Sequence, residues 1–173
     1  MSSGGLSGAQ NEAAPVAIPF EEELAGLISA MLAMTAPPSA DMLSRHVLCA
    51  ASLALAATDQ AVIDQDALMA AFPNSAPPAV IAGIQAMLDM RRQSSAFEAG
   101  SSHFLHTDEP IVRVERFALN GDERAMIIHN WSAARTAFTL PAGRWNHLDC
   151  ACPVAPDEYP ILEPFEVVWM VER

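Results

Sequence analysis

Apolar residues recur three and four apart as far as Arg92 and alternate with polar ones beyond Gly100. The chain therefore passes from helical to strand-like patterning at the stretch Ala86–Phe97. A first helix is expected over Phe20–Met34. Leu24, Leu27, Ile28, Met31 and Leu32 form its apolar stripe, and Glu21, Glu22 and Glu23 suit the positive end of its dipole. Pro37 and Pro38 stop it. Ser39 or Asp41 can cap a second helix that runs to Ala57. Its apolar positions are Leu43, Val47, Leu48, Ala51 and Leu55, and Arg45 and His46 form its polar face. Alanine is frequent enough there for close packing on both flanks. Asp64-Gln65-Asp66 opens a short helix over Ala67–Phe72. Pro77-Pro78 opens a fourth, since proline is tolerated in a first turn. Val80, Ile81, Ile84, Met87 and Leu88 are its stripe, and Arg91 and Arg92 sit at the negative end of its dipole.

Beyond the seam the period is two. A strand is expected at His103–His106. The next, Ile111–Leu119, puts Val112, Val114 and Arg116 on one face and Ile111, Arg113, Glu115 and Phe117 on the other. Asn120-Gly121 is a hairpin turn, and Arg124–His129 returns. Asn130–Ala133 turns again. Further strands are expected at Thr136–Leu140, Trp145–Leu148, Tyr159–Leu162 and Phe165–Val171, with Asp149–Glu158 as a loop and a break at Pro164. Short strands bounded by turns indicate an antiparallel sandwich or small barrel. The fold expected is α+β: a disordered tail over 1–19, a helical cluster over 20–99, and an antiparallel β-sandwich over 100–173 against which the helices pack.

Composition narrows the partners. The 173 residues are 51% hydrophobic, ample for a core in one domain or two small ones. All nine basic residues are arginine, and the net charge is −12. Such a surface repels nucleic acid and anionic lipid, so neither is expected as a partner. Three cysteines, Cys49, Cys150 and Cys152, do not make a disulfide framework. The first residues lack the positive n-region of a secretory signal. The most apolar run, Val47–Ala57, is shorter than the roughly 20 residues a membrane span needs. A cytoplasmic protein is expected.

Several segments together resemble the C-terminal part of the α-amylase superfamily, in its sucrose phosphorylase-like branch. Arg91-Arg92 followed by Ala96-Phe97 is similar to the end of that family's last barrel helix. Ile127-Ile128-His129-Asn130-Trp131-Ser132, Leu140-Pro141 with Trp145-Asn146-His147-Leu148, and Leu162-Glu163-Pro164-Phe165-Glu166-Val167-Val168-Trp169 resemble segments of its C-terminal sandwich. Arg45–Ala56 resembles the helix before the final barrel strand, and Ile63–Leu68 the loop and short helix after it. The strand between them in the family has no counterpart here; Ala57-Thr58-Asp59 bridges the gap. The likeness spans about residues 40–173. It implies that the catalytic (β/α)₈ barrel, which takes about 250 residues, is missing. The paired carboxylates of glycosyl transfer therefore have no counterpart, and no catalytic residue is carried over.

Other chemistry is weaker. Cys150-Ala151-Cys152 with His147 has too few ligands for a structural zinc site and lacks a nucleophile's supporting groups apart from Asp149; ordinary loop cysteines are the expectation. Asp64–Asp66 reads as a helix cap and Asp108-Glu109 as a solvated turn. His103 and His106 are read as sharing one strand face. Trp145 and Trp169 are expected in the core, whereas Trp131, in a turn, is the aromatic placed to stack on a sugar. Trp131 and Trp145 are the carbohydrate-contact candidates. No metal or cofactor is expected. The helices carry more apolar stripe than one sheet face needs, which points to self-association. The function expected is a non-catalytic interaction or accessory protein, whose partner is itself or a carbohydrate-active enzyme. The alternatives are a carbohydrate-binding module with a sugar ligand, and an enzyme of unrelated chemistry.

Overall fold

Helix α2 lies at the centre of the molecule because small residues let its neighbours come close on several sides. The computed structural model describes residues 20–34, 39, 42–60, 62–71, 77–108, 110–155 and 161–172. Within them run four helices, α1 (Phe20–Met34), α2 (Leu43–Ala57), α3 (Gln65–Ala71) and α4 (Pro78–Arg92), then a 3₁₀ turn at Ser95–Phe97. Seven strands follow: β1 (Ser102–Asp108), β2 (Ile111–Phe117), β3 (Arg124–Asn130), β4 (Thr136–Ala137), β5 (Trp145–His147), β6 (Ile161–Leu162) and β7 (Val167–Glu172). The fold is α+β, as the change of period predicts. The expected tail at 1–19, Pro37-Pro38, Asp41, Glu109 and Tyr159 lie outside the described residues.

Strands β1-β2-β3-β7-β5 form one antiparallel sheet in that order, and β4 with β6 forms a second, two-stranded one. The alternation in β2 predicts its faces correctly. Val114 is buried with Ala125, Ile127, Trp169 and Val171 on the face that meets Leu24, Ile28, Leu55, Ile84 and Leu88 of the helices. One core thus crosses the seam between the halves. On the opposite face Met126, Ile128 and Met170 meet Trp145 and Leu162, with Phe138 and Leu140 at the margin. Each fully buried aliphatic side chain contributes about 1.5–3 kcal/mol.

Four local expectations are corrected. His46 does not lie on a polar face of α2: it is 1% exposed, since α2 is covered on nearly every side. Leu43 and Leu27, placed on apolar stripes, are instead about half exposed. Ser39 does not cap α2 with its side chain; Met42 occupies the cap position and its N–H donates to the Ser39 carbonyl at 3.2 Å. The strand expected at Thr136–Leu140 pairs only over Thr136–Ala137. Asp64 does cap α3, accepting from the Asp66 and Ala67 amides at 3.0 and 3.1 Å.

Helix α2 has no basic residue in its last turn, and two arginines remote in sequence supply the missing donors. Arg91 donates to the carbonyls of Leu55 and Gln60. Arg116 donates to those of Ala56 and Thr58 at 3.0 and 3.1 Å, to Ala96 O at 3.0 Å, and to Ser101 Oγ at 2.8 Å. Both guanidinium groups lie over the Phe97 ring, 4.8 and 5.0 Å from its centre, and Phe97 stacks on Trp169 at 5.3 Å. The seam is therefore fastened by charge on carbonyl dipoles as well as by apolar contact. Burial and the nearby Arg116 lower the Arg91 pKa to about 10.

Candidate functional site

The buried half of the candidate site begins with the pair His129-Asn130 at the end of β3. Strand alternation sends the two side chains to opposite faces. On the helix side, His129 Nε2 lies 3.0 Å from Ser52 Oγ and Nδ1 lies 3.2 Å from the Val112 carbonyl. Trp169 Nε1 donates to the same Ser52 oxygen at 2.9 Å. The network closes with one assignment: the indole donates to serine, serine to Nε2, and Nδ1–H to the carbonyl. That makes His129 neutral, and its complete burial lowers its pKa to about 4. A Ser–His contact suggests nucleophilic chemistry, but Ser52 and His129 are wholly enclosed. The contact locks α2 to the sheet instead.

Asn130 works on the other face. Its amide donates to the carbonyls of Ala134, Leu162 and Glu163 at 2.6, 3.3 and 3.0 Å, and its Oδ1 accepts from Ser132 Oγ at 2.8 Å. One buried side chain thereby ties the turn after β3 to the segment after β6. Cys49 lies behind it, buried, its thiol pushed up to about 12 by desolvation.

Two surface hollows flank this anchored end. One, of about 290 Å³, is lined by Arg45, Leu48, Met87, Glu163, Phe165 and Glu166 among others. Phe165 has a φ of 55°, a conformation a bulky residue rarely adopts. Its ring lies 4.8 Å from that of His46, and its N–H donates to the Ser132 carbonyl at 3.2 Å. The other hollow, of about 350 Å³, is lined by Thr107, Pro110, Val112 and Trp131. Trp131 is half-buried there, with its ring 5.9 Å from His46.

The remaining sequence candidates do not join these hollows. Trp145 is 3% exposed, and its Nε1 donates to the Pro141 carbonyl at 2.9 Å. It offers no open ring face, so a direct sugar contact at Trp145 would require the core to open. Trp169 is core. His103 and His106 do not share a face: they are three residues apart, and the strand period separates them. His103 meets Asp59 at 2.9 Å, and His106 approaches Glu115 at 3.6 Å on the other side. Cys150 and Cys152 are bonded to each other as a disulfide, against the expectation of ordinary loop thiols. Among the described residues no three His, Cys, Asp or Glu side chains converge as a metal site. Among them too, no helix is long and apolar enough to cross a membrane.

Ser52, Arg116 and Phe165 hold architectural positions here without being among the site candidates that the sequence offers. A signal existed for one of them. Arg116 continues an apolar alternation, which calls for a buried partner set. Nothing in the linear pattern marks Ser52 or Phe165. No family model matches the chain, and no curated protein matches it.

Proposed function

We propose that the chain is a non-catalytic interaction module, built on the plan of the C-terminal region of amylase-type glucosyl-transferring enzymes. In this reading its working surface is the open edge of β1, and the occupant is a second copy. The edge carries the proposal. Among the described residues strand β1 is outermost and pairs on one side only, and Phe104 and Leu105 are 54% and 56% exposed. Open edges accept a further strand through main-chain hydrogen bonds. Neither proline, lysine nor a bulge interrupts β1, and the opposite edge, β5, is only three residues long.

Self-pairing suits this strand. Antiparallel alignment about Leu105 sets Phe104 opposite the partner's His106 and Asp108 opposite the partner's Ser102, with no like charges opposed. Although the net charge is −12, β1 and β2 balance Arg113 and Arg116 against Asp108 and Glu115. The amylase-like plan is supported by the meeting of the resembling segments: Arg91, Phe97 and Trp169 in one stack, and Asn130 on the Leu162 and Glu163 carbonyls. Sedimentation across the micromolar range tests the reading. Wild type should self-associate reversibly, and Leu105→Lys, at an exposed site, should stay folded and monomeric. A wild type that is monomeric throughout overturns it.

A second reading rests on the hollow beside Trp131, whose indole could take the apolar face of a sugar. Titration with malto-oligosaccharides or sucrose should then shift tryptophan fluorescence in wild type and not in Trp131→Leu. An unchanged wild-type spectrum removes it.

A further inference from the structure

The geometry points to the Cys150-Ala151-Cys152 turn as a reversible thiol–disulfide site, reactive toward low-molecular-weight disulfides such as oxidised glutathione. Both cysteines are exposed. They stand at the tip of a hairpin whose arms are fixed by backbone hydrogen bonds. His147 N–H donates to Cys152 O at 2.9 Å and Val154 N–H to Trp145 O at 2.8 Å, and Asn146 bridges Pro153. Ala151 has a φ of 53°, and the two α-carbons are 5.2 Å apart, well within the roughly 4.4–6.8 Å that a disulfide requires, whereas extended backbone, at about 6.6 Å, sits at the outer edge of that range. The fold thus supplies a left-handed alanine that an unfolded chain visits rarely. The Cys152 N–H points at Cys150 Sγ, 3.3 Å away. Cys152 Sγ lies instead 3.6 Å from the Cys150 carbonyl, so Cys150, with a backbone donor rather than an acceptor beside its sulfur, is the better-placed attacking group.

The exchange balances. The Cys150 thiolate attacks one sulfur of oxidised glutathione, whose S–S bond breaks, and one glutathione thiolate leaves with the electron pair. The Cys152 thiolate then attacks Cys150 Sγ of the mixed disulfide and expels the second. The protons lost by the two protein thiols end on the two glutathione thiols. Two protein thiols are oxidised and one glutathione disulfide is reduced. Cys49 takes no part because it is buried.

The test is a titration of the full chain in buffers of reduced and oxidised glutathione. Thiols are tagged with N-ethylmaleimide in the titration buffer and counted by intact mass, on a Cys49→Ala background where urea is present because unfolding exposes that thiol. Tags should pass from two to none in one step, fully reversed by reduced glutathione. Cys152→Ser should stop at a single glutathione adduct on Cys150. Pre-set backbone geometry should favour closure roughly tenfold over the same chain in urea. The site is overturned by two tags at every ratio, by two adducts on wild type, or by a disulfide that reduced glutathione never opens. It is equally overturned by covalent dimers or by coincident midpoints with and without urea.

Discussion

Replacing Arg116 by methionine should loosen the junction between helices and sheet more than any other single change at the seam. Methionine keeps most of the volume and removes the fork of donors. The carbonyls of Ala56, Thr58 and Ala96 and the Ser101 hydroxyl lose their partner. Bonds from a charged donor are worth about 1.5–3 kcal/mol each, and buried acceptors left bare cost about 1–3 kcal/mol. Against this, the mutant no longer desolvates a guanidinium, which returns several kcal/mol. The Thr58 carbonyl, at the margin of the core, can also take water. The net loss should be about 3–5 kcal/mol. At this chain length that lowers Tm by roughly 10 °C. Arg116→Lys keeps the charge without the planar fork and should fall between the two. Urea unfolding followed by tryptophan fluorescence measures all three, because Trp169 stacks on the Phe97 ring beneath Arg116. A loss below about 1 kcal/mol in Arg116→Met, or a lysine variant as stable as wild type, would refute the claim that this guanidinium caps α2.

His129 sets a pH dependence. Its folded pKa of about 4 lies below the ordinary 6.5, so between those values the unfolded chain binds more protons and stability falls as pH falls. The loss should reach about 3 kcal/mol near pH 4 and vanish above pH 6.5, and the difference between wild type and His129→Gln in urea titrations at several pH values isolates it. Asn130→Ala removes the donors that join the β3 turn to the segment after β6, and should cost about 2–3 kcal/mol while exposing the 131–136 backbone to hydrogen exchange. Gly121 has a φ of 75° in open space, so Gly121→Ala should cost about 1 kcal/mol from conformation alone, visible as a shift of urea midpoint at constant m-value.

The element list was legible because local pattern and final environment agree. Alternation in Ile111–Phe117 assigned both faces of β2, and the Asn120-Gly121 pair marked where the chain reverses, though the connection runs over residues 118–123 and of the pair only Gly121 takes a positive φ. His46 was misplaced for the opposite reason. On a helix wrapped by neighbours a polar side chain does not mark the solvent side. The two-histidine reading of β1 failed on parity, since residues three apart on a strand face opposite ways.

From the order of its residues alone, this chain determined four helices, an antiparallel sheet and the seam between them, because periods of 3.6 and 2 are properties of neighbouring positions. Only the tertiary structure decided how the end of α2 is satisfied, which sulfurs meet, and that Ser52, His129 and Trp169 form one network. Those partners are separated by up to 117 positions. Hydrogen bonding across such distances depends on the relative placement of whole elements, which no local pattern encodes.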